Sequence, residues 1–194
     1  MVDAALLARS PLDAVLTVGR HGEATALPGV TLQEVVPAGA ASIAARLGRG
    51  DMVRMTLGLP PPRRWADVGG MRAVWSGPDR WLVLADHDIE AGLRGRLGNA
   101  ASITDQSDAR CIVRVRGPHA RDALAKGVAL DLHPRSFRPG NAAATLVAHT
   151  TVQLWQLDDA PSYDLAVARG YAAGFAAFLL ESAAEFGVEV VRPA

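Results

Sequence analysis

The side chains able to do chemistry in this sequence are few and scattered. The five histidines are His21, His87, His119, His133 and His149. Two histidines hold a metal ion when they stand four apart on one helix face, and no two here have that spacing. The single cysteine, Cys111, supplies neither a Cys-x-x-Cys zinc framework nor an internal disulfide. It sits beside Ile112 and Val113, the setting of a buried, unreactive thiol. The Gly-x-Ser-x-Gly nucleophile elbow is absent. Gly48-Arg49-Gly50 opens like a dinucleotide-binding turn but lacks the third glycine that lets a helix pack against its strand. Asp105 and Asp108 bracket Ser107 and allow two readings. One is a turn whose side chains satisfy backbone N–H groups; the other is a carboxylate set at a strand end to receive a ligand's amine. The turn is the better supported. Asp158-Asp159 reads as a hairpin turn. On spacing alone, no catalytic, cofactor-binding or metal-binding residue is assigned. Of the four tryptophans, Trp75, Trp81 and Trp155 fall in expected strands and read as core, while Trp65 follows a proline run. A tryptophan beside a Gly-Pro turn can also anchor an interface.

The elements that position these residues come from a chain of 194 residues, 49% apolar and 21% charged. That balance suits one domain or two half-domains sharing a core, and it excludes a disordered, collagen-like or coiled-coil chain. Twenty basic and twenty acidic residues cancel, which argues against a nucleic-acid partner. Abundant alanine, and Lys126 as the only lysine, read as genomic base composition. Asp3 precedes the short N-terminal apolar stretch, the wrong order for an export signal. The uncharged run Pro139–Leu157 carries Asn141, His149, Gln153 and Gln156 and is too polar to span a bilayer. The expectation is a cytoplasmic protein with no membrane partner.

Met1–Gly29 reads as an N-terminal arm, opening on a short possible helix and then broken by Gly19, Gly22, Pro28 and Gly29. Val30–Val36 alternates as a strand. Ala40–Leu47 is open between helix and strand, because alanine blurs the pattern. Asp51–Leu57 is expected as a short helix with Asp51 as N-cap. Arg72–Ser76 and Trp81–Ala85 form a hairpin around Gly77-Pro78-Asp79-Arg80. A helix over Asp88–Leu97 stops at Gly98-Asn99. Ser102–Gln106 and Cys111–Arg116 are strands, the second with Cys111, Val113 and Val115 on one face and Arg114 and Arg116 on the other. Gly117-Pro118 starts a helix with the stripe Ala120, Ala123, Leu124. After an irregular loop over Asp131–Gly140, three antiparallel strands follow (Ala143–Ala148, Val152–Leu157, Tyr163–Ala168). The last helix, Tyr171–Phe186, puts Tyr171, Phe175, Phe178, Leu179, Ser182 and Phe186 on one face. Its alanines admit either close packing or water. The order of elements repeats. The fold class is α+β, with duplicated β-α-β-β-α halves over about residues 30–100 and 101–194.

Asp105-x-Ser107, followed by a strand and then Gly117, Ala120 and Leu124 at a helix start, resembles the glycine-cleavage T-protein superfamily. Five further segments are more specific. Trp75-Ser76-Gly77-Pro78-Asp79-Arg80-Trp81-Leu82, Leu130-Asp131-Leu132-His133-Pro134, Phe137-Arg138-Pro139-Gly140, Thr145 with His149, and Ala168-Arg169-Gly170-Tyr171 resemble the gamma-subunit family of heterotetrameric sarcosine oxidases. The resemblance covers about residues 30–190. It implies a T-protein-like folate-domain fold with antiparallel sheets and swapped strands. It also implies a subunit without an active site of its own, bound to alpha, beta and delta partners. Their complex demethylates sarcosine oxidatively to glycine and passes the one-carbon unit to tetrahydrofolate. FAD, FMN, NAD and the folate are implied in the partner subunits, none in this chain. This sequence leaves no room after its last helix for the T-protein's C-terminal barrel, and Asp105 lacks the surrounding pocket pattern, so folate binding is not carried over to it. The alternatives are a stand-alone folate-binding protein of the T-protein superfamily and the equivalent subunit of an N-methylglutamate dehydrogenase-like complex. A partner-bound arm is expected for the N-terminal segment.

Overall fold

Two-residue alternation and short apolar helices build this chain into two interlocked sheets, in a computed structural model that describes residues 9–24 and 26–194. The helix expected at the start of the arm falls on residues 1–8, outside the described residues. In chain order the elements are β1 (Gly19–His21), β2 (Val30–Val35), β3 (Gly39–Ala45), α1 (Gly50–Leu57), β4 (Trp65–Val68), β5 (Met71–Gly77), β6 (Arg80–Ala85) and α2 (Glu90–Leu97). Then follow β7 (Ala101–Asp105), β8 (Arg110–Arg116), α3 (Ala120–Ala125), β9 (Ala142–Val147), β10 (Thr150–Asp158), β11 (Ser162–Ala168), α4 (Ala172–Ala183) and β12 (Val188–Val191).

One sheet runs β1-β12-β2-β8-β11-β10-β9 and the other β4-β5-β6-β3-β7. Each half lends its leading strand to the other half's sheet. β2 pairs antiparallel with β8, Leu32 opposite Val115, while β7 pairs antiparallel with β3, Ile103 opposite Ile43. The fold is therefore the duplicated α+β arrangement with antiparallel sheets and swapped strands. Period-2 side chains give every central strand two faces. Val113, Val115, Leu154 and Leu165 meet α3 and α4 through Ala120, Leu124, Phe175 and Leu179. Ile43, Ala73 and Val83 meet α1 and α2 through Val53, Leu57, Leu93 and Leu97. Ala40, Val74, Leu82 and Leu84 from the smaller sheet meet Ile112, Ala142, Trp155 and Ala166 from the larger one. The layers are helices, sheet, sheet, helices.

One open reading is settled, and three local departures from the sequence reading have physical causes. Ala40–Leu47, open between helix and strand in the sequence, resolves as strand β3 up to Ala45, because it lies between β6 and β7 and both its faces are covered; Leu47 falls in the turn that follows. Asp51 is not the N-cap of α1: Arg49 holds that position without a side-chain cap bond, and Asp51 stands in the first turn, where the helix dipole favours a carboxylate. Tyr171 is 66% exposed instead of joining the core stripe, since it belongs to a 3-10 turn ahead of α4. Strands β1, β4 and β12 were not anticipated; they are three or four residues long, too short to show a period. The alanines of α4 divide between the two options: Ala172, Ala176 and Ala183 are buried, whereas Ala173 and Ala177 are exposed.

Residues 9–24 lie against the larger sheet. β1 pairs with β12, and Leu12 is fully buried in the helix-facing core with Val15 and Leu16 packed beside it. Ser10 Oγ donates to Glu34 at 2.5 Å, and Arg169 Nη2 donates to the Arg9 carbonyl at 2.6 Å. No helix of the described residues is long and apolar enough to cross a membrane.

Candidate functional site

The Asp105–Asp108 segment is a turn joining β7 to β8. Asp105 Oδ1 accepts the Ser107 N–H at 2.9 Å and the Ser107 hydroxyl at 2.7 Å, and these two bonds hold its carboxyl below the usual range. Ser107 Oγ in turn accepts the Ala40 N–H at 3.0 Å and so ties the turn to the start of β3. Asp105 itself is exposed. The Asp105 carboxylate is thus a surface group whose Oδ1 is committed to its own turn. Cys111 is buried, and burial, followed by the neighbouring Glu34 charge, pushes its thiol up. The histidines are held apart by local bonds. His21 Nε2 pairs with the Thr17 carbonyl at 2.6 Å, His87 Nδ1 with Asp86 at 2.7 Å, and His119 Nδ1 with Asp122 at 2.9 Å. His119 also stacks on Phe186 with ring centroids 4.6 Å apart. His133 Nδ1 accepts the Arg135 N–H, and His149 sits at positive φ in the β9–β10 turn. Among the described residues no three His, Cys, Asp or Glu side chains are grouped to hold a metal ion.

The structure instead gathers polar groups between the sheets, where the sequence placed tryptophans as core. Asp164 on β11 is 1% exposed and receives a two-pronged bond from Arg114 on β8, Nε at 2.7 Å and Nη2 at 2.9 Å. Arg72 reaches it from β5 of the other sheet at 3.7 Å, lies 4.8 Å over the Trp65 ring and bonds Asp67 at 3.0 and 3.2 Å. One buried carboxylate thus links both sheets. Its hydrogen bonds push the Arg114 guanidinium up, against the opposing effect of burial. Trp65 Nε1 donates to the Gln156 carbonyl at 2.7 Å, a second bond across the layer. The Trp75 and Trp155 Nε1 atoms and the Gln153 and Gln156 Oε1 atoms are buried without partners. A signal for this seam exists in the sequence: Asp164 is the single charge of the apolar strand Ser162–Ala168, and Arg114 interrupts the apolar run from Cys111 to Val115.

Apolar side chains also reach the surface. Met52 and Met55 stand three apart on the outer side of α1, 41% and 75% exposed, and Leu47 is wholly exposed in the turn before it. Val18, Leu27 and Leu146 are exposed elsewhere.

Comparison with known proteins gives this arrangement a family. The pattern of the sarcosine oxidase, gamma subunit family matches residues 36–185. Sarcosine oxidase subunit gamma from Corynebacterium sp. (strain U-96) is 31% identical over 165 residues, 80% of each chain. The subunit gamma from an Arthrobacter species is 28% identical over 176 residues, 85% of each chain. Among solved structures, a chain of the heterotetrameric sarcosine oxidase from Corynebacterium sp. U-96 superposes with a TM-score of 0.72 at 28% identity, covering 81% of this chain and 85% of that one. The glycine cleavage system aminomethyltransferase T from Bartonella henselae shares the fold alone, with a TM-score of 0.61 at 14% identity over 84% of this chain and 48% of that one. With its family pattern spanning both interlocked sheets, the chain belongs to the sarcosine oxidase gamma subunit family.

Proposed function

We propose that this chain is the gamma-type subunit of a heterotetrameric sarcosine oxidase-like complex, joined to alpha, beta and delta subunits. The complex demethylates sarcosine oxidatively to glycine and transfers the one-carbon unit to tetrahydrofolate. The carrying observation is the family match over residues 36–185. The geometry supports a packing role for this chain. Its one cysteine is buried, its Asp-x-Ser element closes a turn, and four of its histidines are engaged by local bonds. Exposed Leu47, Met52 and Met55 suit association with another subunit. FAD, FMN, NAD and tetrahydrofolate belong, in this reading, to the larger subunits, and the assembly resides in the cytoplasm.

A tagged copy recovered from its native lysate tests the proposal. The expected product is a yellow assembly with a large, a medium and a small companion, active on an N-methyl amino acid. Recovery of a lone, colourless chain overturns it.

A further inference from the structure

Three arginines of the inter-sheet layer differ in their partners. Arg114 and Arg72 are matched by Asp164 and Asp67. Arg110, at the start of β8, is not. Its Nε donates to Gln106 Oε1 at 3.1 Å, its other nitrogens bond to no described residue, and burial without a compensating charge pushes its guanidinium down. It lines a cavity of about 230 Å³ between the sheets, together with Arg80 from β6, Ser42 from β3, Ser76 from β5 and Gln153 from β10. No described acidic side chain lines this space, and the remaining wall is apolar. The Arg80 guanidinium and both serine hydroxyls bond to no described residue. Neither end of the Gln153 amide is bonded, and its Oε1 is buried.

Removing a guanidinium from water without a counter-charge is unfavourable, and an anion inside the same space offsets that cost. Two guanidinium groups, two hydroxyls and an amide N–H₂ are donors, and donors converging on one recess bind oxygens carrying negative charge. The unpartnered Gln153 carbonyl accepts one hydrogen bond, so the matching anion also carries an O–H or N–H. We propose that this cavity is a binding site for a small oxyanion that bears its own hydrogen-bond donor, either a hydrogen phosphate or a hydroxy- or amino-carboxylate. Arg80 at the mouth draws the anion in, Arg110 neutralises it, and Ser42, Ser76 and Gln153 orient it. The site does not depend on the subunit reading, because every residue of it belongs to this chain.

Calorimetric titration of the purified full chain with inorganic phosphate, and separately with glycolate, tests the site. The expected result is saturable one-site binding of at least one probe, weakening as salt rises. Phosphate alone assigns a phosphorylated ligand, and glycolate alone assigns a carboxylate. Arg110→Gln and Arg80→Gln are each expected to weaken binding about tenfold, the effect of removing a charge-assisted hydrogen bond. Arg80 is exposed and unbonded, so its replacement leaves the fold intact if Arg110→Gln does not. Absence of saturable heat with both probes overturns the proposal, as does wild-type affinity in Arg80→Gln.

Discussion

Individual carboxylates in this protein are shaped by their own turns. Asp131 accepts the Ser136 hydroxyl at 2.5 Å and the His133 N–H at 2.9 Å, and both bonds hold its carboxyl below its ordinary value of 3.8. Asp105 is held down in the same way, by the Ser107 N–H and then by its hydroxyl. A carboxyl with a lower pKa folded than unfolded binds fewer protons in the native state. Its contribution is complete above pH 3.8 and is lost as the pH falls through the lower native value. Urea midpoints across the acid range are therefore expected to fall less steeply in an Asp105→Asn, Asp131→Asn double variant than in the natural chain. An unchanged slope would show that neither turn contributes. The Asp105 turn was legible because Asp-x-Ser carries its own partner two residues away. Arg110 was not, because the absence of a counter-charge is a property of the space around it.

Among elements, the strands were easier to read than their partners. β8 and β11 show their faces in sequence, yet nothing local says that Arg114 and Asp164 lie across from one another, or that Arg72 arrives from the other sheet. Removing Asp164 is costly because Arg114, which is mostly buried, then has no counter-charge, while Arg72 keeps Asp67. Asp164→Ala is expected to cost about 3–5 kcal/mol in chemical denaturation. Asp164→Ala with Arg114→Leu should recover part of that loss, which would distinguish unpaired charge from lost packing. If the single variant is as stable as the natural chain, the clamp has no energetic role. Sequence reading also missed β4 and β12, and register explains why. β4 is ordered by pairing with β5 over four residues, and β12 by lying between β1 and β2, so each acquires strand form from its neighbours.

At the scale of the molecule, strand exchange makes the two halves one cooperative body. β2 belongs to the first half and completes the second half's sheet, while β7 does the reverse. Each half alone would expose a sheet edge and leave its leading strand without a partner. Residues 30–100 and 101–194 expressed separately are expected to lack fixed near-ultraviolet tryptophan signals and to regain them when co-expressed. For the whole chain, tryptophan fluorescence and far-ultraviolet circular dichroism should report a single coincident transition. Separate transitions would mean that the halves are independent.

Periodicity and turn chemistry are local, so residues 30–186 carried most of their elements, their duplication and their apolar faces legibly. The order of family-like segments, from Trp75–Leu82 to Ala168–Tyr171, was likewise present in the chain itself, and the family match confirms it. Strand exchange, the strand form of Ala40–Ala45 and the seating of Leu12 in the core were decided only in three dimensions. So were the charge link through Asp164 and the uncompensated Arg110 beside Ser42, Ser76 and Gln153. These depend on pairing between residues far apart in sequence, and the free energy of a buried charge depends on what surrounds it in space.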